Sequence, residues 1–344
     1  MKLNRSILAC VLAAVLLVGC AQATPAVPTS APQATAAPAK PFRVAVILPS
    51  AKNDLSFSQS MYDALVKVQN DMGGKDKFDF VYTENMFVVA DAAAALRDYA
   101  SKGYDLVIGH GSQYGASLAD IAPDFPKTAF AWGTAVDTYA SKGIKNIFAY
   151  TVASDQGGYV EGVLAAKLSK SGILGYIGPL PVGDGKLTGD GFVAGAKATN
   201  PNIKTQVTYV NSFSDVALAS QAAQTQIASG ADALAGTSQN MVGAISVVKD
   251  KNALWFGNDV DQSSLAPSNV VASQVYDWSI ALHGMIDDIN SAKYGGDIFT
   301  LTLKNGGLKM VYSPGYKLPD DGKALADKTV QGLVDGSILT GVSQ

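Results

Sequence analysis

Short apolar runs alternate with helical patterns along most of the chain. The first run, Phe42–Leu48, ends at Pro49 and is followed by a polar loop, after which apolar residues recur at helical spacing from Met61 to Val68. A short run of mostly branched residues is typical of a buried parallel strand. Loops at the carboxyl ends of such strands face the ligand crevice of an open α/β sheet. We therefore expect the loop after this strand to contact a ligand. The alternative is that Asp54 and Ser56 only cap the helix that follows.

The same alternation predicts two series of strands and helices. The first series has strands at Phe78–Thr83, Leu106–Gly109, Ala129–Trp132 and Ile147–Val152, with helices at Ala90–Ser101 and Gly115–Ala122. The second has strands at Ile173–Ile177, Gln206–Val210, Ala233–Ala235 and Ala253–Gly257, with helices at Tyr159–Lys170, Phe192–Ala198, Val216–Ala228 and Val242–Lys249. Strands separated by helices predict parallel sheets with right-handed crossovers. The fold class is therefore α/β, with two Rossmann-like lobes.

The last part of the chain predicts elements that return to the two lobes. A strand at Val270–Asp277 and a helix at Ile280–Ile289 precede a β-hairpin within Phe299–Tyr312 that turns at Asn305–Gly307. We assign residues 41–152 and 153–272 to the first parts of lobes 1 and 2, and residues 273–344 to segments shared between them. Strands near Ala149–Ser154 and Ala272–Tyr276 are expected to cross between the lobes, so that ligand binding closes them about a hinge.

The amino terminus predicts a secretion signal. Lys2 and Arg5 precede an apolar stretch from Ile7 to Val18, which is shorter than the ~20 residues that span a bilayer. The stretch ends in Leu17-Val18-Gly19-Cys20, which resembles the lipobox of bacterial lipoproteins. The resemblance implies that Cys20 is lipidated and becomes the first residue after cleavage, and we assign residues 1–20 to this lipoprotein signal. The alternative is an ordinary secretory signal with a chance cysteine. Removal of Cys10 with the signal leaves one cysteine and no internal disulfide.

A tether follows the signal. Residues 21–40 are rich in alanine, proline and threonine and contain no aromatic residue, so they cannot build a core. Such a segment favours extended conformations and reaches up to roughly 60 Å over twenty residues. Loss of Lys2 and Arg5 lowers the net charge from −3 by two, to −5. This balance gives no reason to expect a nucleic-acid partner.

Polar and aromatic residues collect where the predicted strands end. Such residues occupy four segments: Gly109–Gly115, Trp132–Gly133, Gly236–Asn240 and Gly257–Gln262. Glycines allow close approach to the backbone, amides and hydroxyls read donors and acceptors, and a carboxylate binds paired hydroxyls. Phe57 lies between polar residues in the first loop and is a natural stacking surface. The alternative for any single residue is that it only keeps its loop soluble.

Five segments together resemble the basic membrane protein family of lipoproteins, the receptors of certain ABC transporters that often bind purine nucleosides. They are DLSFSQS (54–60), DLVIGHGSQYG (105–115), SDQGGYVEGVLAA (154–166), GFVAGAKATNP (191–201) and FGNDVDQ (256–262). The resemblance covers about Phe42 to Tyr312 and implies the type I periplasmic binding protein fold. It also implies that Phe57 and Tyr114 sandwich a base and that Asp259 binds ribose hydroxyls or an equivalent pair. The full set of expected ligand-binding residues is Asp54, Phe57, Ser58, Gln59, His110, Gly111, Ser112, Tyr114, Trp132, Asp155, Tyr159, Thr237, Asn258, Asp259 and Tyr276.

Two departures from the family pattern affect the expected ligand. Ser58 stands where the family usually has asparagine, and Tyr276 stands where a lysine is common. Extra aromatic rings favour a flat ligand, but the lost polar contacts weaken the case for ribose. A purine nucleoside is the first expectation; a free base, another heteroaromatic compound or a sugar is the alternative.

Other function classes have less support. The sequence has no HExxH, no GxSxG elbow and no P-loop, since Gly183-Asp184-Gly185-Lys186 is followed by Leu187 instead of a hydroxyl residue. The missing motifs give no support to an enzyme, and we expect no cofactor or metal. The resemblance instead implies a solute-binding protein, which we expect to be a monomer. Its partners would be a small ligand, an ABC permease and the membrane that holds the lipid anchor on the extracytoplasmic face. A surface sensory or adhesion lipoprotein with the same fold is the alternative.

Overall fold

Two six-stranded sheets form the framework of the molecule. The computed structural model describes residues 40–343, so the predicted signal, Cys20 and all but the last residue of the predicted tether lie outside the described residues. The strands are β1 (Phe42–Ile47), β2 (Phe78–Thr83), β3 (Leu106–Gly109), β4 (Ala129–Gly133), β5 (Ile147–Val152), β6 (Ile173–Gly178), β7 (Lys204–Tyr209), β8 (Ala233–Gly236), β9 (Leu254–Asp259), β10 (Val270–Tyr276), β11 (Ile298–Leu301) and β12 (Leu308–Tyr312).

Helices cover the sheets between successive strands. They are α1 (Phe57–Asp71), α2 (Val89–Ser101), α3 (Gly115–Ile121), α4 (Ser154–Leu168), α5 (Gly183–Thr199), α6 (Val216–Ala228), α7 (Met241–Lys251), α8 (Ser279–Asn290) and α9 (Asp320–Asp335). None of the helices described between residues 40 and 343 is both long enough and apolar enough to cross a membrane. Helix α5 begins nine residues before the predicted Phe192, and α9 was not predicted.

The two sheets define two lobes. In lobe 1 the strand order is β11, β5, β4, β3, β1, β2, and every pairing is parallel. In lobe 2 the order is β12, β10, β9, β8, β6, β7, and only β12 runs antiparallel to its neighbour β10. The central strands β3, β5 and β8 are buried along their whole length, as expected for parallel strands covered on both faces. The predicted α/β class with two parallel-sheet lobes is confirmed.

Three chain crossings connect the lobes. The chain leaves lobe 1 after β5, returns after β10 through helix α8, whose Leu282 and Met285 pack in the core of lobe 1, and crosses again between β11 and β12. The predicted hairpin within Phe299–Tyr312 is therefore wrong. Strand β11 pairs with β5 and strand β12 pairs with β10, because each completes the open edge of a different sheet. The turn between them is still formed by Asn305, whose side-chain oxygen accepts hydrogen bonds from the N–H groups of Thr302 and Gly307.

Glycines allow α4 and α5 to pack in close contact. A methyl group at Gly162 would lie 2.0 Å from the carbonyl oxygen of Phe192, and one at Gly195 would lie 2.0 Å from the carbonyl oxygen of Tyr159. The two backbones therefore approach each other where neither helix has a side chain. This contact fixes the first helix of lobe 2, which begins at a crossing between the lobes.

Candidate ligand-binding cleft

A cavity of about 340 Å³ lies between the two lobes, at the carboxyl ends of the strands. This volume is at the lower end of the range for small-molecule sites, about 300–1,000 Å³. Lobe 1 contributes Pro49, Phe57, Phe87, Gly111, Ser112, Gln113 and Thr134. Lobe 2 contributes Pro179, Leu180, Val182–Gly185, Phe213, Thr237, Ser238, Gln239, Asp259 and Tyr276. Nine loops or strand ends, four from lobe 1 and five from lobe 2, thus meet at the cleft that the alternation of strands and helices predicted.

Six of the fifteen residues expected to bind ligand line this cavity. They are Phe57, Gly111, Ser112, Thr237, Asp259 and Tyr276. The other nine lie behind the cavity wall or away from it, and the hydrogen bonds of most of them explain why.

Phe57 is held in place by a stack of rings. Its ring lies on His110, with 3.8 Å between the centroids and 8° between the planes, and Tyr150 follows behind His110 at 5.9 Å and 8°. The edges of all three rings meet Trp278 at nearly perpendicular angles. One face of Phe57 is therefore covered by protein, and its position is fixed before any ligand binds.

His110 supports this stack and does not reach the cavity. Because a carbonyl can only accept, the Nε2–H of His110 donates to the backbone oxygen of Phe57 at 3.1 Å, and Nδ1 accepts from the hydroxyl of Tyr150 at 2.7 Å. Complete burial lowers the pKa of His110 to about 3, so the ring is neutral at physiological pH. The expectation that His110 contacts ligand is corrected to a supporting role.

Tyr114 does not face Phe57 across the cleft. Its side chain is fully buried in the core of lobe 1 beside Leu118, and its hydroxyl donates to the carbonyl of Met86 at 2.7 Å. The ring is turned inward because the short helical turn that carries it packs against α3 and β3. The structure therefore does not bring Tyr114 opposite Phe57.

Trp132 buttresses one loop of the cavity from outside. Its ring stacks on Tyr139 at 5.3 Å, and its indole N–H donates to the carbonyl of Ser112 at 3.1 Å. The contact fixes the backbone of Ser112, which does line the cavity.

Asp54 organises the first loop from within. Its carboxylate accepts hydrogen bonds from the N–H groups of Ser56, Ser58 and Gln59 and from the hydroxyl of Ser50. Ser58 is fully buried and bonded to Ser50 as well. Gln59 accepts a hydrogen bond from the N–H of Leu55 at 3.1 Å. The capping alternative therefore describes Asp54, and these side chains shape the loop that presents Phe57.

Asp155, Tyr159 and Asn258 are also away from the cavity. Asp155 lies in the first turn of α4, and its carboxylate accepts a hydrogen bond from the hydroxyl of Thr340 at 2.6 Å. Tyr159 lies one turn later, at the contact with α5. Asn258 is buried in β9 beside Gln274 of β10. Their sequence segments fit the family pattern, but here they build lobe 2.

Asp259 ends β9 and lines the cavity. It is 2 % exposed, and one carboxylate oxygen accepts a hydrogen bond from the hydroxyl of Ser56, in the opposite lobe, at 2.5 Å. Burial raises the pKa of this carboxyl to about 7, and the negative charges of Asp54 and Asp184 act in the same direction. Burial also raises the pKa of the neighbouring Tyr276 hydroxyl well above its usual range. The carboxyl of Asp259 thus stands at the junction of the lobes without a cationic partner in the described part of the chain.

Three of the cavity-lining residues that sequence reasoning missed are aromatic or acidic. Phe87 follows β2, Phe213 follows β7, and Asp184 opens helix α5 after β6. The sequence feature that could have identified all three is their position after a strand. Asp184 was considered only as part of a failed P-loop, because the glycines around it hid the start of the helix. Burial raises the pKa of its carboxyl to about 7.

The sequence of the chain matches a known protein family. The family model described as Bmp, ABC transporter substrate-binding protein PnrA-like, matches residues 42–338. The chain belongs to this family. Members of the Bmp family bind a small ligand for an ABC transporter, and the expectations of a solute-binding protein and of no enzymatic activity are confirmed by this membership.

Relatives and one solved structure support the assignment. The chain is similar to a purine-binding protein of Brucella abortus, at 29% identity over 263 residues, covering 76% of this chain and 73% of the relative. It is similar to an ABC transporter nucleoside-binding protein of Lactococcus lactis at 28% identity, covering 75% and 78% of the two chains. The solved structure of an ABC transporter solute-binding protein from Conexibacter woesei matches with a TM-score of 0.70 and 23% identity, covering 87% of this chain and 98% of that one. The last likeness concerns the fold alone and confirms the periplasmic binding protein architecture.

Proposed function

We propose that this protein is an extracytoplasmic lipoprotein that captures a purine nucleoside or nucleobase in the interlobe cleft and delivers it to an ABC permease. The observation that carries the proposal is a pair of phenylalanines on opposite lobes. Phe57 of lobe 1 and Phe213 of lobe 2 both line the cavity, and Phe213 is 37 % exposed. Aromatic surfaces that approach from two sides favour a flat ring as ligand.

The two phenylalanines have different roles in this proposal. Phe57 is pre-positioned by His110 and Tyr150, so a ring that stacks on it costs little ordering of the protein. Phe213 lies in the loop between β7 and α6 and moves with lobe 2. Closure of the lobes would bring Phe213 onto the free face of the ligand, which replaces the Phe57–Tyr114 sandwich expected from sequence.

Asp259 binds the polar end of the ligand in this proposal. A buried carboxylate forms charge-assisted hydrogen bonds with hydroxyl or N–H donors, and these are about twice as strong as bonds between neutral groups. Ribose supplies a pair of hydroxyls, and a free base supplies a ring N–H. The names of the relatives, purine-binding and nucleoside-binding, agree with either ligand.

The extracytoplasmic location rests on the first forty residues. The lipobox-like sequence at Cys20 and the tether after it would hold the binding domain near the membrane, where the permease lies. The domains assigned from the sequence, 1–20 as signal and 21–40 as tether, are part of this proposal.

Calorimetry with adenosine, guanosine, inosine, adenine and hypoxanthine tests the ligand class. We expect at least one purine to bind, and Phe57→Ala to weaken its binding roughly ten- to a hundredfold, since a base–aromatic contact contributes about 1–3 kcal/mol. Phe125→Ala is the matched control, because Phe125 is partly buried like Phe57 but precedes β4, at the opposite edge of the sheet. Tight binding of a simple sugar or an amino acid, with no binding of any purine, would refute the assignment.

A further inference from the structure

A second carboxyl, Asp184, faces the same cavity as Asp259. It lies in the first turn of α5, directly after Gly183, whose φ of +55° makes the tight turn from β6 into the helix. Its carboxylate has one long hydrogen bond, 3.5 Å from the hydroxyl of Thr151, while the hydroxyl of Ser154 bonds to its backbone oxygen. The carboxylate of Asp184 is therefore free to accept donors from a ligand.

The helix terminus that carries Asp184 would otherwise suit an anion. The first N–H groups of a helix have no partner within it and attract phosphate when they face a cavity. In α5 a side-chain carboxyl of the helix itself occupies the first turn on the cavity side. A phosphate group of a ligand would have to displace this carboxyl or lie beside it.

The cavity contains no counter-charge for these two carboxyls. Of the residues described, no Lys, Arg or His side chain lines the cavity. Lys186 lies in the same helical turn as Asp184 but forms its ion pair with Asp190. Asp54 and Tyr276, which also lie near Asp259, supply no positive charge. Lys67 and Lys309 share an adjacent cavity with Asp259, but both form ion pairs with Asp277. The cleft therefore has an acidic interior.

We propose that Asp184 is a specificity-determining residue that, together with Asp259, makes the cleft accept uncharged or cationic ligands with donor groups and exclude their phosphate esters. This inference rests on the proposed function for the identity of the ligand. In a partly desolvated site, the repulsion between a phosphate dianion and one carboxylate a few ångströms away corresponds to about a hundredfold in affinity or more. Replacing one of the two carboxyls removes part of that repulsion.

The experiment compares each parent compound with its phosphate ester. Adenosine, guanosine and inosine, each compared with its 5′-monophosphate, and ribose, compared with ribose 5-phosphate, are titrated by calorimetry at pH 8 against the wild type, Asp184→Asn and Asp184→Ser. We expect each phosphate ester to bind the wild type about a hundredfold more weakly than its parent, or not at all. Both variants should reduce the discrimination about tenfold. Asp250→Asn is the matched control, since Asp250 is an exposed carboxyl on α7 of the same lobe and lies outside the cavity wall, and it should leave the ratio unchanged.

The outcomes separate this inference from the proposed function. If a phosphate ester binds the wild type as tightly as its parent, or if both Asp184 variants keep the full discrimination, the inference is wrong and the purine assignment stands. If only the ribose pair binds, the nucleoside assignment fails, while the charge preference is still decided by that pair. If none of these compounds binds, the nucleoside assignment and this inference are both contradicted.

Discussion

Replacing Asp259 with asparagine should make the ligand-free protein more stable at alkaline pH. Asparagine has nearly the shape of a protonated aspartic acid, and its side-chain oxygen can still accept the hydrogen bond from Ser56. The backbone φ of residue 259 is +70°, a region that asparagine tolerates better than most residues. The substitution therefore removes the charge and adds little strain.

The magnitude follows from the raised pKa of Asp259. Burial raises the pKa from its ordinary value of 3.8 to about 7 in the folded state. Between these two values the folded protein holds a proton that the unfolded chain has released, so stability falls as pH rises through this window. Above pH ~7 the cost of the buried charge is fully present. A difference of about 3 pKa units, at about 1.4 kcal/mol per unit, corresponds to ~4 kcal/mol.

Guanidinium unfolding at pH 4.5 and pH 8.5, without ligand, measures this effect. Tryptophan fluorescence is a suitable signal because Trp255 and Trp278 are fully buried. We expect Asp259→Asn to exceed the wild type by no more than ~1 kcal/mol at the lower pH and by up to ~4 kcal/mol at the higher pH. Asp261→Asn is the control, because Asp261 is exposed two residues further on. An Asp259→Asn effect of equal size at both pH values would show that the reasoning about the buried charge is wrong.

Three further predictions concern packing, closure and the anchor. Gly162→Ala should destabilise the protein by about 1–3 kcal/mol or more, because the added methyl group would lie 2.0 Å from the carbonyl oxygen of Phe192. Gly322→Ala is the control, since its methyl group would meet nothing closer than 3.5 Å. Equal unfolding midpoints for the two variants would contradict the packing argument. Saturating purine should reduce the radius of gyration measured by X-ray scattering, and an unchanged radius would count against hinge closure. Cys20→Ser should move the protein from the membrane fraction to the soluble fraction, since two or three acyl chains hold a protein at a membrane durably; retention after a high-salt wash would rule out the lipid anchor.

The local pattern of apolar and polar residues was sufficient to predict most of the strands. The predicted bounds of β2, β3 and β5 coincide with those in the structure. For β3 and β5 the reason is that a short apolar run between polar turns has few ways to be buried other than as a strand inside a sheet. The predicted hairpin of β11 and β12 was wrong because the local pattern does not determine which strand each of them pairs with. Both strands lie at sheet edges, and which edge a strand joins depends on the three-dimensional arrangement of the lobes and not on the turn between the strands.

The sequence predicted the residues that line the cleft only where their position at the end of a strand is sufficient to place them there. Gly111, Ser112 and Thr237 line the cavity because they directly follow parallel strands. Which aromatic side chains reach the cavity depends on three-dimensional packing, since Tyr114 turns into the core of lobe 1 while Phe213 does not. Asp184 was missed because a glycine-rich helix start has the composition of a loop.

A crystal structure of the protein with the purine that binds most tightly tests the central claim most directly. We expect the ring to lie between Phe57 and Phe213, in contact with both, and its polar end to donate to the carboxylate of Asp259. A purine bound outside the interlobe cavity, or bound within it without contact to either phenylalanine, would contradict the proposed function.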